Sequence, residues 1–97
     1  MQIVIRKYEG EGAKELFKLL EERSDEIKGI IESVSGLISY TLAHTEEGGI
    51  TVTICEDQEG IEKSIELARN WIMENAADLG VSAPEVSVGN AVIHVAA

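Results

Sequence analysis

Tyr40, His44, Thr51, Thr53 and Cys55 are the residues of this chain whose types and spacing could do chemistry. Tyr40 and His44 stand four apart in one apolar stretch, and Thr51, Thr53 and Cys55 alternate in the next. In extended chain, side chains an even number apart share a face. The five would then line one side of a sheet. There His44 could serve as an acid or base and Tyr40 as a hydrogen-bond donor to a bound ligand. The plainer alternative is a core whose polar tips pair with each other or reach water. An exposed position near the end of a hairpin also suits His44.

Cys55 would be a nucleophile only with a lowered pKa. Glu56 and Asp57 flank it and act in the opposite direction, so a small buried hydrophobe is its ordinary role. Trp71 sits at helical spacing and reads as core, with a cavity lid or dimer contact as the alternative. Arg6 could offset interior acids or bind a carboxylate ligand. His94 and His44 have no spacing that suggests a metal pair, and Arg69 and Asn70 read as solvent-facing. No Ser-His-Asp set, phosphate loop or carboxylate pair is visible, so no metal, cofactor or catalytic residue is expected from these motifs.

Composition narrows the partners. Eighteen acids against eight bases give a net charge of −10. Nucleic-acid binding requires a basic footprint that displaces counterions from phosphates, and this chain repels phosphate at long range. Anionic membranes are disfavoured for the same reason. A single cysteine excludes an intrachain disulfide and a multi-thiolate zinc site, and fits a reducing cytosol. No apolar run approaches a membrane span, and no secretory signal is visible, so a cytoplasmic protein is expected.

The elements that must position these residues follow from hydrophobic period. Gln2–Tyr8 reads as a strand with three contiguous β-branched residues, and Glu9-Gly10-Glu11-Gly12 breaks it. Ala13, Leu16, Phe17, Leu20, Ile27, Ile30, Ile31 and Val34 draw one stripe, which predicts a single helix over 13–33. Gly29 inside it costs roughly 1 kcal/mol against alanine, and a close neighbour is one explanation. Leu37–Thr45 and Ile50–Glu56 form a hairpin about Glu46-Glu47-Gly48-Gly49. Asp57 is the expected N-cap of a second helix that runs to about Asp78, and Gly80 suits the left-handed position after it. A linker over 81–85 leads to a last strand, Val86–Val95, with a bulge or bend at Gly89-Asn90. The order strand, helix, strand, strand, helix, strand is the ferredoxin-like α+β arrangement, here one domain over 1–97.

Pairing Thr45 with Ile50, Ala43 with Val52 and Tyr40 with Cys55 sorts the hairpin into two faces. Leu37, Ser39, Thr41, Ala43, Ile50, Val52 and Ile54 form the face expected under the helices. Ile38, Tyr40, Leu42, His44, Thr51, Thr53 and Cys55 form the other. Two helices cover one face of four strands. The remaining face is too apolar for water, so a two-fold homodimer is expected, its sheets enclosing a packed core or a hollow barrel.

With this order, with Ser35-Gly36-Leu37-Ile38-Ser39-Tyr40 opening the second strand, with Gly48-Gly49 in the turn and with Thr51-Val52-Thr53-Ile54-Cys55-Glu56-Asp57 leading into the second helix, the chain resembles the dimeric α/β-barrel superfamily, and in it the antibiotic-biosynthesis monooxygenase-like proteins. The resemblance implies a homodimer and a small aromatic or quinone-like ligand between sheet and helices. The superfamily's haem-degrading branch uses an asparagine on the first strand, a tryptophan on the third and a histidine on the second helix. None has a counterpart here, so haem chemistry is not carried over. Two readings stand. One is a homodimer that binds an apolar or aromatic small molecule, oxygenase-like at most. The other is a non-catalytic regulatory or structural dimerisation module, with small-ligand sensing of the ACT type included.

Overall fold

A computed structural model describes all 97 residues. Four antiparallel strands stand in the order β2-β3-β1-β4: β1 is Gln2–Glu9, β2 Leu37–Thr45, β3 Gly48–Cys55 and β4 Glu85–Asn90. Three α-helices and one short 3-10 turn, Ala77–Leu79, complete the chain. The ferredoxin-like expectation holds, with the helices on one side of the sheet.

The first helical stripe is divided. α1 is Ala13–Glu22 and α2 is Ser24–Glu32, with Arg23 between them at φ −106° and ψ 31°. The apolar spacing hides this break, because one residue out of helical geometry bends the axis without removing the stripe from the core. α3, Gln58–Asn75, starts as expected: the Asp57 carboxylate accepts the Gly60 backbone N–H at 3.0 Å. It stops three residues early, and Gly80 closes the following 3-10 turn at φ 64°. Gly29 has nothing within 4 Å of where a Cβ would stand, so no close neighbour accounts for it.

The hairpin turns on two residues, Glu46 and Glu47, since Thr45 pairs with Gly48. Ala43 therefore faces Ile50, Thr41 faces Val52 and Tyr40 faces Thr53. This is a shift of two or so from the expected pairing, which preserves the alternation. A bulge at Ile38 does not preserve it. Leu37 turns inward against the core around Val4 and Ile61, while Ile38 is left exposed.

The two faces are also the reverse of the expected assignment. Val4, Arg6, Tyr8, Thr51, Thr53 and Cys55 are the buried set, and Tyr40 and Leu42 pack with them beneath the helices. The helices bring Phe17, Leu16, Ile61 and Trp71, and in places they need a small residue beneath them. Gly49 supplies the clearest case, because a Cβ there would overlap the Phe17 ring. The aliphatic residues Ile3, Ile5, Ile50 and Val52 are left on the uncovered face, by strand alternation and register, and Ile54 on that face is nonetheless buried.

β4 ends at Asn90. Gly89 and Asn90 pair regularly with Ile3 and Gln2, so there is no bulge. Beyond them the Ala91 N–H donates to the Met1 carbonyl at 2.9 Å, the pairing then ends, and Val92, Ile93 and Val95 are exposed by 84–87%.

Candidate functional site

Strand alternation carries Arg6 and Tyr8 to the helix side of β1, and Thr51 lies directly across from Arg6 on β3. Tyr40 joins them from β2. Above this polar floor, α2 and α3 contribute Ile27, Ile30, Ile31, Leu67 and Trp71. The helices and sheet do not close completely, and a cavity of about 40 Å³ remains, ten of its twelve lining residues hydrophobic. That is room for roughly three water molecules. Tyr8, Ala68, Ile72 and Arg6 also border a wider outer groove of about 350 Å³, between α3 and the segment Val81–Pro84. Arg6 thus stands where an inner apolar space meets an outer one.

Arg6 is only 3% exposed. Its Nε donates to Thr51 Oγ1 at 3.0 Å, and a terminal nitrogen donates to the Ser64 carbonyl at 3.4 Å. The chain's ion pairs are Lys7–Glu9, Arg23–Glu26 and Lys63–Glu66, and Glu21 bonds His44; none of these carboxylates reaches Arg6. A buried charge without a counter-charge costs several kcal/mol. The tyrosines do not provide one. Burial raises the pKa of both Tyr8 and Tyr40, and the nearby Arg6 charge offsets this only in part. Both remain neutral hydroxyls at physiological pH.

Trp71 forms a wall of the cavity and is held from behind. Its indole Nε1 donates to Glu26 Oε2 at 2.6 Å. Arg23 bonds Glu26, donates to Asn75 Oδ1 at 3.0 Å and lies 5.1 Å over the indole ring. Asn75 in turn donates to the Trp71 carbonyl at 2.9 Å. The break between α1 and α2 places Arg23 where it can make all of these contacts.

Of the residues singled out from the sequence, Arg6, Tyr40, Thr51 and Trp71 line the cavity together. The other three do not. Thr53 is fully buried, and its hydroxyl has no hydrogen-bond partner. Cys55 is a fully buried member of the core around Val4 and Ile61. Burial, and then the Asp57 charge, raises the pKa of its thiol. His44 lies at the rim with its side chain half exposed, Nε2 2.6 Å from Glu21 Oε1. It belongs to the same sheet face but is too far along β2 to reach the cavity lining. Reasoning from the sequence missed Tyr8, whose even spacing from Arg6 on β1 was the available signal. No three His, Cys, Asp or Glu side chains converge as a metal-binding set, and no helix is long and apolar enough to cross a membrane.

No protein-family model matches the chain, and no curated protein matches it. Solved structures do. A candidate antibiotic biosynthesis monooxygenase from Deinococcus radiodurans superposes with a TM-score of 0.71 at 12% identity, covering 100% of this chain and 98% of its own. The haem degrader MhuD from Mycobacterium tuberculosis, solved with two haems in its active site, gives 0.67 at 18%, covering 99% and 100%. A dimeric ferredoxin-like protein from an uncultured marine organism gives 0.64 at 19%, covering 99% and 96%. At these identities the shared property is the fold. It is the fold of antibiotic-biosynthesis monooxygenase-like proteins.

Proposed function

We propose that this chain is a homodimeric small-molecule-binding protein that takes an aromatic or apolar ligand between sheet and helices, with monooxygenase-like chemistry as the most it performs. The observation that carries this reading is the cavity itself: apolar walls around Tyr40 and Trp71, with a few convergent polar groups in Arg6, Thr51 and Tyr8. A similarly folded protein holds haem in its active site, which supports a ligand of aromatic character. The cavity is smaller than the roughly 150 Å³ space that admits benzene in a protein core, so a ring enters only as the helices move apart or by way of the outer groove.

The dimer rests on the uncovered face. Ile3, Ile5, Ile50 and Val52 are only half-buried there, and a contiguous aliphatic sheet face is uncommon on a soluble monomer. A second copy related by a two-fold axis would cover it, and a dimeric neighbour has the same fold. The lone buried thiol suits a reducing compartment such as the cytosol.

Native mass spectrometry combined with thermal-shift measurement tests both parts. The expected result is a mass of two chains and a rise in melting temperature with quinones or aromatic acids. A mass of one chain rules out the dimer. A two-chain species that no such compound stabilises rules out the pocket.

A further inference from the structure

Arg6 is the unusual group in this molecule. The chain carries 18 acidic residues, yet none pairs with its most deeply buried cation. A guanidinium has five N–H donors; two meet Thr51 and the Ser64 carbonyl with hydrogen-bond geometry, and the Tyr40 hydroxyl lies close beside the group. The group borders both the inner cavity and the outer groove. An arginine buried where two largely apolar spaces meet, and paired with no carboxylate of its own protein, suits an anion.

We propose that the ligand of this pocket is a small apolar acid whose carboxylate pairs with Arg6 while its hydrocarbon body lies against Ile27, Ile30, Leu67 and Trp71. This rests on the pocket reading above and specifies its chemistry. Charge balance selects the head group. One guanidinium is matched by one negative charge, whereas a phosphate dianion would leave a net negative charge among aliphatic side chains. The planar guanidinium also suits bidentate pairing with a carboxylate. Tyr8 and Tyr40, as neutral hydroxyls, can donate to the same oxygens. Thr51 holds the guanidinium in place from β3, so the site is ordered before the ligand arrives.

The test uses 4-ethylbenzoate and its neutral counterpart 4-ethylbenzamide, titrated calorimetrically into the full chain and into Arg6→Met and Arg6→Lys. Trp71 is the only tryptophan, so quenching of its fluorescence gives a second measure of occupancy. In the unsubstituted protein the acid should bind at least about tenfold more tightly than the amide, as expected for hydrogen bonds to a charged group. Arg6→Met should abolish that preference, and Arg6→Lys should weaken binding while keeping it. Without ligand, Arg6→Met should melt no lower than the unsubstituted protein, since it removes an unpaired buried charge. If the acid and amide bind equally, the pocket stands and the carboxylate assignment fails. If neither binds, the pocket reading fails with it. A preference that survives in Arg6→Met places the anion elsewhere. If Arg6→Met does not fold, Arg6→Lys decides: undiminished acid binding there overturns the anchor.

Discussion

The indole N–H of Trp71 donates to the carboxylate of Glu26 at 2.6 Å, joining α3 to the first turn of α2 across 45 residues of sequence. The same bond, with Arg23 second, holds the Glu26 carboxyl below its ordinary value of 4.5. A carboxyl whose folded pKa is depressed contributes stability above the unfolded pKa and loses it as pH falls through the folded one. Denaturant midpoints should therefore fall as pH is lowered from about 5 through the carboxylate range. In Glu26→Gln the fall should be shallower, because that group no longer titrates. Equal slopes for the two proteins would mean that the bond contributes nothing at equilibrium.

Two glycines predict opposite outcomes. Gly49→Ala puts a methyl group into the Phe17 ring, so β3 or the ring must shift. Overpacking of this kind costs about 1–3 kcal/mol. Gly29 lies on the exposed side of α2 with open space around it, and Gly29→Ala should stabilise by about 0.5–1 kcal/mol. Urea unfolding of the two variants against the parent checks both signs.

Thr53 is a buried hydroxyl without an acceptor or donor. Valine has nearly the same shape and no group to leave unpaired. Thr53→Val should raise stability by about 1 kcal/mol, the low end of the penalty for a buried orphan. For a chain of this size that is about 4–8 °C in melting temperature. A calorimetric scan that shows no rise would point to a water on the hydroxyl.

Cys55 should be chemically silent. Its side chain is fully buried, and both burial and Asp57 keep the thiol protonated. Ellman's reagent should react with the native protein only as fast as the fold opens, and at once in denaturant. Rapid labelling of the native state would contradict this packing.

Element order was legible in the sequence because strand and helix periods are strong over eight or more residues. From Ser39 onward the hairpin faces were grouped correctly for a similar reason: a two-residue error in the turn leaves alternation intact, whereas the bulge at Ile38 exchanged Leu37 and Ile38. Which group lies under the helices was not legible. That depends on whether Phe17 needs space beneath it, and Gly49 is far from Phe17 in sequence. The break at Arg23 was hidden because Leu20 and Ile27 stay in one stripe whether or not the helix bends. At the site, four of the seven singled-out residues come together around one cavity. The three that fall outside it share its sheet face but are separated by distance along the strands, which alternation does not encode.

The burial of Arg6 within so acidic a chain has a kinetic consequence. An anion approaching the pocket meets repulsion from a surface of net charge −10 before it meets the one positive group that attracts it. Dissolved salt screens the repulsion beyond about 8–10 Å but leaves a dry contact nearly untouched. Raising ionic strength should thus hasten association of a carboxylate ligand and leave its residence time unchanged, the reverse of what charge-steered ligands do. A protein built this way admits anions slowly and selects those that can shed water once they arrive.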